Sequence, residues 1–206
     1  MYDVNIAEKF TLSTSNYHHG DLRAALLEAA LAEVRERGPA ALGLRAVARR
    51  VGVSPMAPYR HFTDKEALLA DVAAQGFWLF KRRLEDAAGA QAEANAALIA
   101  QGVAYVRFAN DEPSLFRLMF GPLIADQKGH PALLTAGEAA RSVLAAAVAA
   151  ATPAMAPAER ADFALACWAT AHGLASLLVD GAACQGLGMA AIEQQARRAL
   201  AFLVQG

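Results

Sequence analysis

Residues 47–62 read Val-Ala-Arg-Arg-Val-Gly-Val-Ser-Pro-Met-Ala-Pro-Tyr-Arg-His-Phe. Ala48 and Gly52 stand four positions apart. That spacing supplies a small residue where two helices touch, then a residue free to take positive φ, as a helix-turn-helix requires. On the first helix, Leu44, Val47, Ala48 and Val51 share the inward face while Arg45, Arg49 and Arg50 face outward. Gly52 ends it. Ser54-Pro55 predicts a restart, because Ser is a good N-cap and Pro suits the first helical position. The second helix of such a pair would enter a major groove with its N-terminal residues against base edges. On periodicity alone, an ordinary corner of a helical bundle fits as well.

Working outward, Leu22, Ala25, Leu26, Ala29, Ala30 and Val34 recur at three- and four-residue steps, with Asp21 as the expected N-cap and Gly38-Pro39 as the stop. After the motif, Thr63-Asp64-Lys65-Glu66 has the form of a capping box that opens a helix to about Asp86. Gly/Pro breaks divide the remainder into helices over 93–108, 114–120, 131–151, 157–182 and 188–204. Nine helices and no strand are expected, an all-α chain of 206 residues in which hydrophobic residues, Ala foremost, make up 56%. The expected organisation is a mobile arm over 1–16, a helix-turn-helix domain over 17–62 and a helical domain over 63–206.

The net charge of −1 hides an asymmetry: residues 1–65 carry +2 and residues 66–206 carry −3. Between Pro39 and Phe62 lie Arg45, Arg49, Arg50 and Arg60 and no acid, the sign a phosphate-facing surface needs. Cys167 and Cys184 form no metal-ligand spacing and read as free thiols in a reducing cytoplasm. No signal peptide is read at the N-terminus. The uncharged run Phe163–Val179 is near the lower length for a membrane span but contains Thr170, His172, Gly173 and Ser176, so a helix buried on both faces of a soluble protein is expected. His18 and His19 are adjacent, His61 lies in the motif and His130 in a turn. None makes a ligand pair, and no metal or cofactor is expected. The chain shows no catalytic grouping, phosphate loop or paired carboxylates, so no enzyme is read from it.

The run ALGLRAVARRVGVSPMAPYRHFTDKEALL, together with YHHGDLRAALLEAAL before it, resembles the DNA-binding domain of the tetracycline-repressor (TetR) family over residues 17–69. LFRLMFGP (115–122) and CWATAHGLASL (167–177) resemble the family's C-terminal domain of the Trp-His-Gly type, through Trp168, His172 and Gly173. The resemblance implies that Ser54 caps the recognition helix and touches a phosphate. It implies backbone contacts from Tyr59 and His61, and a phosphate at Lys65. Met56 and Ala57, just after Pro55, would face bases with apolar contacts. Arg45 and Arg60 are the long donors available. Two departures stand out: Gly43 precedes Leu44 where the family often has Thr or Ser, and Pro58 removes a helical donor from the recognition helix.

The resemblance further implies a homodimer that binds a near-palindromic operator, most often as a repressor. Apolar arcs carry the same expectation: Phe163, Leu165, Trp168, Leu174, Leu177 and Leu178, then Ile192, Ala196, Leu200 and Leu203, would build a four-helix interface between two subunits. A small apolar or aromatic effector is expected among Phe108, Phe116, Met119, Phe120, Trp168 and His172, although such residues at helical spacing also build plain cores. The alternative is a regulator whose C-terminal domain only dimerises or binds a protein partner.

Overall fold

A computed structural model of the chain describes residues 22–181, 186 and 188–205. The expected N-cap Asp21, His18, His19, Cys184 and the arm over 1–16 lie outside the described residues. The described residues form eight α-helices and no strand: α1 (Leu22–Arg37), α2 (Leu44–Val51), α3 (Lys65–Gly89), α4 (Ala94–Asp111), α5 (Pro113–Phe120), α6 (Pro131–Ala151), α7 (Pro157–Val179) and α8 (Met189–Gln205). The all-α expectation holds, with one helix fewer than nine.

The missing helix is the one expected from Ser54. Its place is taken by a turn and a short 3-10 segment, Ala57–Arg60. The reason is Pro58. A helix begun at Pro55 would close its first i→i+4 bond from residue 58 to the Ser54 carbonyl, and proline has no N–H to give. Ala57 N–H donates to Ser54 O at 3.0 Å instead, and Tyr59 N–H to Met56 O at 3.3 Å, both three-residue spacings. Met56, not Ser54, occupies the cap position of the 3-10 turn, and no side-chain capping bond is made there.

α1, α2 and the start of α3 pack around Leu26, Ala30, Val34, Val47, Ala48 and Leu68, all fully buried. Gly52 closes α2 at φ +78°, ψ +27°, as its position predicts. Lys65, not Thr63, begins α3, because Asp64 is the residue that caps it, accepting from Ala67 N–H at 2.8 Å. Glu66 is then released from the expected box and accepts from Asp126 N–H at 3.0 Å, pinning the loop before α6 to the start of α3.

α3 runs on unbroken for 25 residues; α4 and α6 pack along it, and α7 and α8 pack in turn against α4 and each other. Gly76 allows a close approach there: a Cβ on it would lie 2.7 Å from Met119 Sδ and 3.0 Å from Leu115 Cγ, both on α5. At the far end of α1, Arg35 grips Glu112 with two bonds of 2.7 and 2.8 Å, and Arg83 of α3 bonds Asp111 at 2.9 Å. The corner between α4 and α5 is thereby tied to both α1 and α3.

α7 is not buried on both faces. Cys167, Ala171 and Ala175 turn inward, while Leu165, Trp168 and Leu177 are between 42% and 58% exposed. It ends at Val179, three residues before its expected end, where Gly181 takes φ +71°. On α8, Ile192, Ala196 and Leu200 are buried inside the subunit. Their spacing of four places them in one stripe against α4, where Leu200 Cδ1 lies 2.2 Å from where a Cβ on Gly102 would sit. These three residues are therefore core, and the open apolar positions on this side are those of α7 and Phe202, 83% exposed. Replacing Gly76 by Val should wedge α3 from α5 and cost about 1–3 kcal/mol, read as a lower urea midpoint. An unchanged midpoint would show that the approach is loose.

Candidate nucleic-acid interface and ligand cavity

Of the nine residues expected to face DNA, Arg45, Ser54, Pro55, Met56, Tyr59, Arg60, His61 and Lys65 are exposed and Ala57 is half-buried. Ser54 to His61 lie on or beside the turn after α2, Arg45 in the first turn of α2 and Lys65 at the start of α3. Met56 is the most open apolar side chain of the group at 68%. Among the described residues Arg45, Arg49 and Arg60 have no carboxylate partner. Arg50 differs from them: it holds Glu36 at 2.6 Å and the buried Glu33 at 3.1 Å. Both carboxylates push its guanidinium further towards the charged form, and Arg50 in turn holds Glu36 below the usual carboxylate range. Arg50 thus ties α2 to α1. Lys65 Nζ donates to the Ala40 carbonyl at 2.7 Å, which leaves two of its three N–H groups free to meet an anion.

A cavity of about 680 Å³ opens in the other half of the chain, within the usual size range of small-molecule sites. Each wall is one helical face. Phe77, Phe80 and Leu84 come from α3; Leu98, Gln101, Gly102 and Tyr105 from α4; Ala164, Cys167, Trp168 and Ala171 from α7. Residues between Leu133 and Ala145 of α6, with Phe120, Gln127, Leu165 and Leu200, complete it. Its charged lining side chains are Glu138 and Arg141, which are largely exposed and pair with one another.

Of the six residues expected around an effector, Phe120 and Trp168 line this cavity. Phe108, Phe116 and Met119 are buried in the core behind it. His172 also stands behind the wall, with its ring 5.6 Å from Phe116, 5.1 Å from Phe120 and 5.4 Å from Trp168. Its Nδ1 lies 2.7 Å from the Tyr105 hydroxyl, which does reach the cavity. Burial pushes the Tyr105 phenol well above its ordinary range. Burial also lowers the pKa of His172, which keeps the ring neutral.

Sequence reading missed Gln101. It is 5% exposed, and its Oε1 has no hydrogen-bond partner among the described residues. The signal was present: Gln101 is the one amide side chain in the run Leu98–Val106, LIAQGVAYV.

Residues 98–203 match the tetracyclin repressor-like C-terminal domain, and residues 26–72 match the bacterial regulatory proteins of the tetR family. The chain belongs to the TetR family. As a member it is a DNA-binding transcriptional regulator, and TetR-family regulators are in general not enzymes. Its fold is similar to that of a protein of unknown function from Rhodococcus sp. RHA1, at 34% identity over 91% of this chain and 97% of that one, with a TM-score of 0.76. The regulator PfmR from Thermus thermophilus shares the fold at 19% identity, covering 88% and 97% of the two chains with a TM-score of 0.62. FadR from Bacillus subtilis, solved in complex with stearoyl-CoA, does so at 13% identity, covering 87% and 97% with a TM-score of 0.68. α6 and α7 are long and apolar enough to cross a bilayer. In this TetR-family fold they are instead two walls of the cavity.

A histidine held neutral by folding takes up its proton more readily once unfolded. Stability linked to His172 is therefore complete above its ordinary pKa of 6.5 and falls as the pH drops below that value. Melting temperatures measured between pH 7.5 and 5.5 should decline, and His172→Gln should decline less. Parallel declines would mean that His172 is protonated equally in both states.

Proposed function

We propose that the chain acts as a homodimeric repressor released from its operator when a small, largely apolar molecule fills the cavity. The observation that carries this reading is the position of the cavity on α3. Phe77, Phe80 and Leu84 of its wall stand on the same helix whose first residue, Lys65, lies beside the recognition turn. A domain built only to dimerise has no need of a 680 Å³ space lined by Phe, Tyr, Trp and Leu. FadR, solved with stearoyl-CoA, offers a precedent in this fold for a ligand with a long apolar part. The exposed apolar face of α7, with Phe202, is the surface we assign to the partner subunit, since so many large apolar groups are seldom left open to water.

On DNA, a dimer would place one recognition turn in each of two half-sites about one helical turn or more apart, roughly 34 Å or above. Met56 and Ala57 face the bases in this proposal. Tyr59, His61 and Lys65 hold phosphates, with Arg45, Ser54, Pro55 and Arg60 at the edges. A duplex selected by the purified protein from a random library supplies the substrate for the test. Lys65→Ala should weaken binding to every sequence alike and reduce the slope of log affinity against log salt by about one. Met56→Ala should keep the salt slope and change the base preference. A Lys65→Ala protein with altered base preference and an unchanged slope would overturn these roles. A melting-temperature screen against apolar compounds tests the effector half: stabilising compounds should also dissociate the selected duplex.

A further inference from the structure

The cavity is graded from a polar mouth to an apolar interior. Gln127, Glu138, Arg141 and Ser142, which lie on α6 or just before it, are lining residues open to solvent. Leu134, Leu165 and Trp168 share that rim and are 42% to 58% exposed. The mouth therefore lies between α6 and one flank of α7. Phe80, Leu84, Leu98, Leu133 and Leu200 line the interior and are at most 5% exposed. Polar groups offer little there: the Tyr105 hydroxyl already lies 2.7 Å from His172 Nδ1, and Gln101 Oε1 is closed off from solvent. A charged end of a ligand would lose its hydration inside and keep it at the mouth.

Leu200 differs from the other interior leucines in where it comes from. It belongs to α8, which packs on α4 and α7. On α7, Leu174 and Leu178 pack with Ile192 and Ala196 of α8, on a different flank from Leu165 and Trp168. Leu200 thus enters the cavity from the side away from the mouth. It does so over Gly102 of α4, where a Cβ would lie 2.2 Å from its Cδ1 and 3.1 Å from its Cδ2. The missing Cβ is what lets the side chain through.

We infer that the effector carries an unbranched apolar limb that enters between α6 and α7 with its polar end at the mouth, and that Leu200 is the stop that sets the limb's length. This rests on the reading of the cavity as the effector site. Each methylene buried along the limb adds about fourfold in affinity. The gain ends where the chain meets Leu200, because a close-packed interior does not take in a further methylene without strain. Gly102 fixes the place of the stop by admitting Leu200.

The 1-alkanols from hexanol to dodecanol test it, titrated into the full-length protein and followed by tryptophan fluorescence, since Trp168 lines the cavity. Wild type should bind each longer alkanol about fourfold more tightly up to a limit, then gain nothing. Leu200→Ala removes Cγ and both Cδ atoms and should move the limit about two to three carbons longer. Leu200→Val, a milder change should the alanine variant not fold, should move it by about one. Leu84→Ala opens the interior from α3 and should leave the limit where it was. A limit unmoved in the Leu200 variants, or moved as far by Leu84→Ala, overturns the inference while leaving the cavity as an effector site. An affinity that climbs steadily to dodecanol in wild type does the same. If wild type binds no alkanol, the cavity reading fails and the inference fails with it.

Discussion

α3 is one helix serving two cores. Leu68, Leu69 and Val72, near its start, pack with α1 and α2 beneath the DNA-facing turn. Phe80 and Leu84, two to three turns later, bound the cavity. Twenty-five residues of α-helix form a rod of roughly 37 Å, and neither proline nor an inserted side chain interrupts it. A change of packing at one end must therefore be absorbed at the other or in the contacts along its length. Those contacts are close at Gly76, where α5 lies against the helix, and charged at the α4–α5 corner, where Arg83 of the helix bonds Asp111. α5 is itself double-sided: Phe120 lines the cavity, while its first turn follows directly from Glu112. Cavity, α5, α3 and α1 thus form one continuous packed path.

Such a path transmits nothing unless two arrangements exist and the ligand favours one of them. Interiors packed at crystal-like density repack in steps and do not stretch smoothly, which suits a switch. Trp168 adds a further constraint. It lines the cavity, packs its ring 5.4 Å from that of His172 and is 42% exposed on the face of α7 assigned to the partner subunit. Filling the cavity and pairing the subunits are in this way linked through a single side chain.

The N-terminal half was legible because its signals are local. Gly52 takes the left-handed conformation that its place in the motif demands, and the alternation of Leu44, Val47 and Ala48 with Arg45 and Arg49 is the alternation seen in burial. The recognition segment was legible only in outline. Ser54-Pro55 signals a helix start, but Pro58 removes the first bond that helix needs, and the tighter turn follows from the missing donor. The cavity was harder to read, since Phe108 and Phe120 carry the same periodicity signal and only three-dimensional packing separates core from wall. Leu200 misled for the same reason: an apolar stripe on α8 suits a partner subunit or α4 equally well, and α4 took it. Gln101 was readable in principle as the one amide in the uncharged run Leu98–Val106, otherwise fit for a core.

The central claim is that cavity and DNA surface are coupled. Coupling is reciprocal: whatever factor a ligand takes from DNA affinity, DNA must take from ligand affinity. The decisive measurement is the affinity of a stabilising compound from the melting-temperature screen for the free dimer and for the dimer saturated with its selected duplex, at one salt concentration. The account predicts weaker binding to the DNA-bound dimer, by the same factor by which the compound weakens DNA binding. Equal affinity in the two states would contradict it, leaving a cavity that binds small molecules without speaking to DNA.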